Sequence, residues 1–298
     1  MGLERGEPTI VLRGERPLLA LETAFLSTGL PGDVGASVAE RMEVAAREAG
    51  ATPAFVGAVE GRAIVGLGPA ERERVAASGR KLSTRDLPAA LSRGDDGGTT
   101  VAATLFLAWR SAVPVTVTGG IGGVHAGPGP EDVSADLLEL SRTPAVLVCS
   151  GAKAILDLPA TVERLESLGV AAVGFGTDEW PAFWTSGSGI PLATSAESAE
   201  EVAAMRREAD RLGFPGAILV CVPPPSEASL DPEEGKTAVE RALEDADREG
   251  VEGPALTPWL LDRVADLTEG RSLTANRALL VSNAGVAARI AVALREAS

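Results

Sequence analysis

Short, continuously apolar runs alternate with amphipathic stretches along nearly all of the 298-residue chain. The runs PLLALETAF (17–25), VPVTVTG (113–119), AVLVCSG (145–151), VAAVGF (170–175) and AILVCV (217–222) are short and β-rich, and they read as buried strands. The run at 54–67 carries Glu60-Gly61 near its middle, which predicts a local antiparallel hairpin. Between these runs, apolar spacing near 3.6 predicts helices at about 36–49, 69–78, 98–111, 133–142, 160–168, 197–212 and 235–249. The tail, 257–297, holds two further helical stretches broken at Gly270. Asp132 and Ser134 are candidate N-caps before ADLLELSR, and Thr143-Pro144 stops that helix. Continuous apolar strands separated by helices imply an α/β fold, a mostly parallel mixed sheet covered on both faces. With no repeat or low-complexity tract, residues 1–298 read as one domain with the C-terminal helices packed on it. The acidic stretch 226–250 reads as a solvated loop and helix face.

Composition narrows the partners. The chain is 45% hydrophobic with no Tyr, only six Phe and four Trp, so its core is built from Ala, Val, Leu and Ile. A net charge of −15 argues against nucleic acid or anionic membrane as a partner. A bound phosphate would then need a few local cations or backbone N–H groups at a helix start. Cys149 and Cys221 lie in two similar apolar runs and read as reduced core residues. No apolar stretch approaches the roughly 18 residues of a membrane span. The first residues, MGLERGEPTIVLRGERP, lack the features of a signal peptide, so the expected location is the cytoplasm.

Only three of the 27 basic side chains are lysines: Lys81, Lys153 and Lys236. Arginine serves for plain positive charge here, and lysine differs from it in being able to lose its proton when desolvated and act as a nucleophile. Lys153 follows the strand VLVCSG, whereas Lys236 lies in an acidic surface segment and reads as solvated. In open α/β sheets ligands gather beyond the carboxyl ends of the strands. Glu22, the lone histidine His125 in TGGIGGVHAGPGP, Lys81 in SGRKLSTRDLP and Lys153 all map to such ends or loops. Each has a plain structural alternative: Glu22 as a carboxylate paired to an arginine, His125 as a satisfied structural histidine, and Asp132, Ser134 and Asp136 as helix-starting residues. The glycine-dense loop matches neither the dinucleotide nor the P-loop pattern, no zinc-like spacing occurs, and no GxSxG elbow is present. The combination points to imine chemistry: a desolvated lysine attacks a sugar aldehyde, a second lysine and a histidine hold a phosphate, and a buried carboxylic acid delivers a proton.

The motifs ALET, SGRKLSTRDLP (78–88), GGTTVAATL (97–105), TGGIGGVH (118–125), DVSADLLELSRTP (132–144), GAKAILDLPATVERLESLGV (151–170), TDEWPAFW (177–184) and SLTANRALLVSNAGVAARIA (272–291) resemble the pseudouridine-5′-phosphate glycosidase (indigoidine synthase A-like) family. They run in that family's order over nearly the whole chain. The resemblance implies a three-layer α/β/α domain, a homotrimer, and a divalent metal, Mn2+ by expectation. It also implies a reaction that breaks or makes the C–C bond between C1 of ribose 5-phosphate and a ring carbon. Opening the ribose and forming an imine gives C1 an electron sink, and protonating the ring carbon makes it a leaving group.

Carried over by motif position, Lys153 would be the imine-forming nucleophile and Glu22 the proton donor. Asp132 would hold the metal, largely through water. Lys81, His125 and the Ser134-Ala135-Asp136 turn would bind the phosphate and sugar, with Val101 lining the pocket. Thr118 and Asn276 would face the base. The chain departs from the family pattern at ETAFLSTGLPGD, where Thr28 replaces an expected histidine, and at His125-Ala126-Gly127 in place of HRG. The aromatic loop carries Trp180 and Trp184, and TSGSG after it lacks an expected arginine. Because the sugar-phosphate residues are kept while the loops around the ring differ, a C-glycosynthase is expected, joining ribose 5-phosphate to an aromatic or pyrimidine-like acceptor in an antibiotic-type pathway. The alternatives are a pseudouridine-5′-phosphate glycosidase releasing uracil and ribose 5-phosphate, and a non-catalytic sugar-phosphate-binding subunit.

Overall fold

A computed structural model describes residues 9–30, 32–125, 132–251 and 256–296. The apolar runs form the spine of one mixed sheet. Its path runs β1 (Ile10–Leu12), β4 (Arg62–Val65), β3 (Thr52–Val59), β2 (Leu18–Leu21), β7 (Val115–Val117), β8 (Val146–Cys149), β11 (Ile218–Cys221), β9 (Ala171–Phe175) and β10 (Ser195–Ala196). Two short strands, β5 (Lys81–Leu82) and β6 (Gly97–Thr99), branch off through β3. Among the strands of the described residues, only the pairings of β3 with β4 and with β6 are antiparallel. The first is the hairpin expected at 54–67, and Glu60 (φ 51°) and Gly61 (φ 77°) supply the two left-handed residues its tight turn requires.

The 3.6-residue spacing locates most of the helices. These are α1 (Gly32–Glu48), α2 (Pro69–Ala77), α4 (Val101–Arg110), α5 (Ala135–Arg142), α6 (Leu158–Ser167), α7 (Ala199–Arg211), α8 (Pro232–Glu249), α9 (Leu256–Leu267) and α10 (Arg271–Glu296). The seven-residue α3 (Leu87–Arg93) and the strands β1, β5, β6 and β10 carry too few residues for a periodic signal. Gly270 (φ 78°) separates α9 from α10, as expected. Of the two candidate caps before α5 it is Ser134 whose hydroxyl accepts from the Asp136 N–H. The helix expected at 98–111 begins only at Val101, because Gly97–Thr99 are drawn into the sheet against β3.

Two clusters of buried side chains fill the faces of the sheet, and Leu19 and Leu21 point to one while Leu18 and Ala20 point to the other. Cys149 and Cys221 stand in register on β8 and β11, buried and unpaired, as the reading of reduced core residues anticipated. Against the expectation that no segment reaches the length of a membrane span, α10 is a 26-residue helix apolar enough to pass that test, the only one among the described residues. More than half of its most apolar stretch is buried inside the protein, where it packs against α1, α7 and the strands β2, β7 and β8. Its apolarity comes from lying across the sheet.

Candidate active site

The chain order of the strands reverses direction across the sheet between β2 and β7. Ligands in open α/β folds bind beyond the carboxyl ends of strands at such a point. A cleft of about 500 Å³ opens there, and of the eleven side chains singled out from the sequence ten line it: Glu22, Lys81, Thr118, His125, Asp132, Ser134, Ala135, Asp136, Lys153 and Asn276. Val101 does not. It is the buried first residue of α4, and Thr100, its N-cap, faces the cleft instead.

Glu22 follows β2 directly, and its backbone N–H continues the ladder to Val117 at 3.2 Å. The side chain is buried, and the Thr118 hydroxyl donates to its Oε2. The charges facing it are Lys153, Asp136 and Lys81, so the alternative of an arginine-paired structural carboxylate does not hold. Burial raises its pKa from 4.5 to about 7, against the opposing pull of Lys153, the Thr118 hydrogen bond and Lys81, with Asp136 adding to the rise. A carboxyl group so poised exchanges a proton near neutrality.

Lys153 is half-buried just past β8. Two loops hold it by exchanged backbone bonds: Ile121 N–H donates to Gly151 O at 3.0 Å and Lys153 N–H donates to Ile121 O at 3.0 Å. Gly151 takes φ 83° and a Cβ there would lie 2.2 Å from Pro181 O, so this turn admits only glycine. Lys81 enters from β5 at the rim. Its pKa is lowered by partial desolvation and then by the Lys153 charge, while Asp136 and Glu22 oppose the shift. His125, half-buried, donates its backbone N–H to Asp132 O at 3.0 Å, and burial lowers its pKa despite the nearby Asp132 charge.

Asp136 braces two backbone segments beside the cleft. Its Oδ1 accepts from Ala102 N–H at 2.9 Å and its Oδ2 from Gly122 N–H at 2.8 Å. Lys81, Arg85, His125 and Lys153 are the basic side chains that line the cleft. Among the described residues no three His, Cys, Asp or Glu side chains gather into a metal-binding cluster. A single carboxylate, Asp132, fits a hydrated divalent cation that keeps most of its waters beside a phosphate, and does not fit a dehydrated protein cage.

The cleft also has walls that sequence reasoning did not find. Phe25, Thr28 and Gly29 reach it from a π-helical turn, Phe25–Gly29, that begins three residues after Glu22, a rare conformation concentrated at functional sites. Thr28, singled out earlier as a departure, does line the cleft, and its hydroxyl donates to Ala24 O at 3.2 Å. Ser83 and Arg85 come from beside Lys81, and Thr257, Pro258 and Leu261 from the start of α9. In the aromatic loop Trp180 and Trp184 are buried in the core, and it is Phe183 that lines the cleft. Phe183 adopts φ 64°, uncommon outside glycine, with its N–H held by Ser150 O at 3.0 Å. Glu179 accepts the N–H of Gly189 and so folds the TSGSG segment back on its own loop. Ala126 and Gly127 lie outside the described residues.

Comparison with known proteins agrees with the motif resemblance. A family model described as "Indigoidine synthase A like protein" matches residues 9–293. A pseudouridine-5′-phosphate glycosidase of Chloroflexus aurantiacus is 48% identical over 97% of each chain. The crystal structure of an indigoidine synthase A-like protein from Thermotoga maritima superposes with a TM-score of 0.90 at 37% identity, covering 98% of this chain and 99% of that one. The prealnumycin C-glycosynthase AlnA, solved with ribulose 5-phosphate, gives 0.88 at 34% identity over 97% of each chain.

Proposed function

The chain belongs to the indigoidine synthase A-like family, a membership that makes it an enzyme of C-glycosidic bonds, and we propose that it acts on a ribose 5-phosphate unit through an imine at Lys153. One observation carries the reading: a half-buried primary amine, a carboxyl poised near neutrality and a second lysine converge on one cleft. A relative named as a glycosidase is 48% identical to the chain, against 34% for the C-glycosynthase, and this weighs toward cleavage of pseudouridine 5′-phosphate.

In that direction Lys81, His125 and the start of α5 hold the phosphate. The Lys153 amine attacks C1′ as the C1′–O4′ bond opens, and O4′ leaves with a proton. The nitrogen lone pair then forms the C1′=N bond while the C1′–ring-carbon bond breaks. Its electrons pass to the ring carbon, which takes a proton from Glu22. Water hydrolyses the imine, returning the amine and releasing ribose 5-phosphate. Thr118 both bonds Glu22 and, with Asn276, faces the side of the cleft where the base would lie. A hydrated divalent cation, Mn2+ in our reading, would sit at Asp132 and neutralise phosphate charge. The continuous sheet supports one domain, and a trimer in solution is part of the same proposal.

A second reading, the synthetic direction, is favoured by Thr28, which lines the cleft where the family pattern has a histidine. Incubation with pseudouridine 5′-phosphate separates the two. Ready release of uracil supports cleavage, and negligible release with ribose 5-phosphate still adding to Lys153 supports a synthase for another ring. Absence of both would leave the non-catalytic subunit and overturn the proposal.

A further inference from the structure

Asn283 lies in the interior of α10, fully buried among Leu279, Leu280, Ala284 and Ala287. An amide at such a position is costly unless its hydrogen bonds are made. Here they are made entirely with the two loops that carry the reacting groups. Its Nδ2 donates to Thr118 O at 3.0 Å and to Gly119 O at 3.5 Å, and it lies 3.1 Å from Ser150 Oγ. Ser150 Oγ in turn donates to Asn283 Oδ1 at 3.3 Å.

Each partner leads one step further to the chemistry. Thr118 donates its hydroxyl to Glu22, and Ser150 opens the turn that presents Lys153. The two loops are also joined directly, with Ser150 N–H bonded to Gly119 O at 2.8 Å, so Asn283 closes a small buried network beneath them. Asn276 lies seven residues earlier on α10, on the same side of the helix, and reaches the cleft itself. The helix thus contributes one amide to the cleft and a second beneath it.

We propose that Asn283 is a positioning residue for the active site: by fixing the Thr118 and Gly119 carbonyls and the Ser150 hydroxyl it holds the Thr118 hydroxyl on Glu22. The inference concerns the site assigned above, but its test reads Glu22 directly and does not depend on turnover. Glu22 is faced by Lys153, Lys81, Asp136 and the Thr118 hydroxyl, and of these residues only Thr118 is bonded by Asn283 directly. The Thr118 bond favours the ionised carboxylate, so weakening it moves the Glu22 titration upward.

The measurement is the carboxyl-carbon NMR titration of Glu22 in full-length protein, assigned by its disappearance in Glu22→Gln. Asn283→Leu should shift the midpoint to higher pH, and Thr118→Val should do the same. Combining the two should give no more than Thr118→Val alone, since both act through one bond. If Asn283→Leu does not fold, Asn283→Ser, which keeps one short donor, should give a smaller shift in the same direction. A folded Asn283 variant with the wild-type midpoint, or shifts that add in the double variant, would overturn the proposal. Borohydride trapping of ribose 5-phosphate on the wild-type protein reports on the imine separately, so failure of one idea is not mistaken for failure of the other.

Discussion

Gly122 donates its backbone N–H to Asp136 Oδ2 at 2.8 Å, which ties the glycine-dense loop after β7 to the first turn of α5. The other carboxylate oxygen holds Ala102 N–H at the start of α4, so one buried side chain fixes three segments around the cleft. Asp136→Ala would leave both amides without a partner, at a cost of about 2–3 kcal/mol. A lower urea midpoint with an unchanged slope is the expected signature, and Asp136→Asn, which keeps one acceptor, should fall between. An unmoved midpoint in Asp136→Ala would show that the brace contributes nothing.

Glu22 gives a pH signature in stability as well as in rate. Its folded pKa of about 7 lies above the unfolded value near 4.5, so the folded state binds the proton more tightly. Its favourable contribution is complete below pH 4.5 and is lost as pH rises through 7. Glu22→Gln should therefore remove a stability decline between pH 5 and 8 worth on the order of 3 kcal/mol. The same variant should abolish turnover, and in the wild-type enzyme the rate of cleavage should fall above about pH 7 as the donor ionises. A parallel decline in both proteins would place the titration elsewhere.

Phe183 rests on Gly120, where an added Cβ would come within 2.7 Å of the ring and 3.1 Å of Gly151 O. Gly120→Ala should push the ring into the cleft. The expected result is a KM for pseudouridine 5′-phosphate raised roughly tenfold, equivalent to about 1.4 kcal/mol of lost binding, with ribose 5-phosphate still adding to Lys153. Equal loss of both functions would mean that the substitution disturbs the Lys153 turn rather than the acceptor side.

Much of this architecture is legible from residue patterns. The runs around 145–151 and 217–222 are apolar on both faces, which is how central parallel strands read, and they became β8 and β11. Scarce lysines drew attention to Lys81 and Lys153, and family motifs brought the other cleft residues into view. The failures have physical causes. Phe183 and Trp184 are adjacent aromatics, and which one faces the cleft depends on a left-handed backbone residue that composition does not announce. Thr100 faces the cleft where Val101 was expected, in a helix that starts three residues later than its apolar pattern predicts. Asn283 sits within an apolar helix, and its importance comes from partners 133 and 165 residues away. The apolar length of α10 was missed because arginines interrupt it at both ends and within, while its middle is buried across the sheet.

The central claim is that Lys153 forms the covalent link to the sugar. Borohydride reduction in the presence of ribose 5-phosphate, followed by peptide mass spectrometry, tests it directly. The account predicts one reduced pentose-phosphate adduct on the peptide containing Lys153, and none in a folded Lys153→Arg variant, since arginine keeps the charge without a nucleophilic amine. An unmodified wild-type protein, or an adduct confined to Lys81 or Lys236, would contradict it.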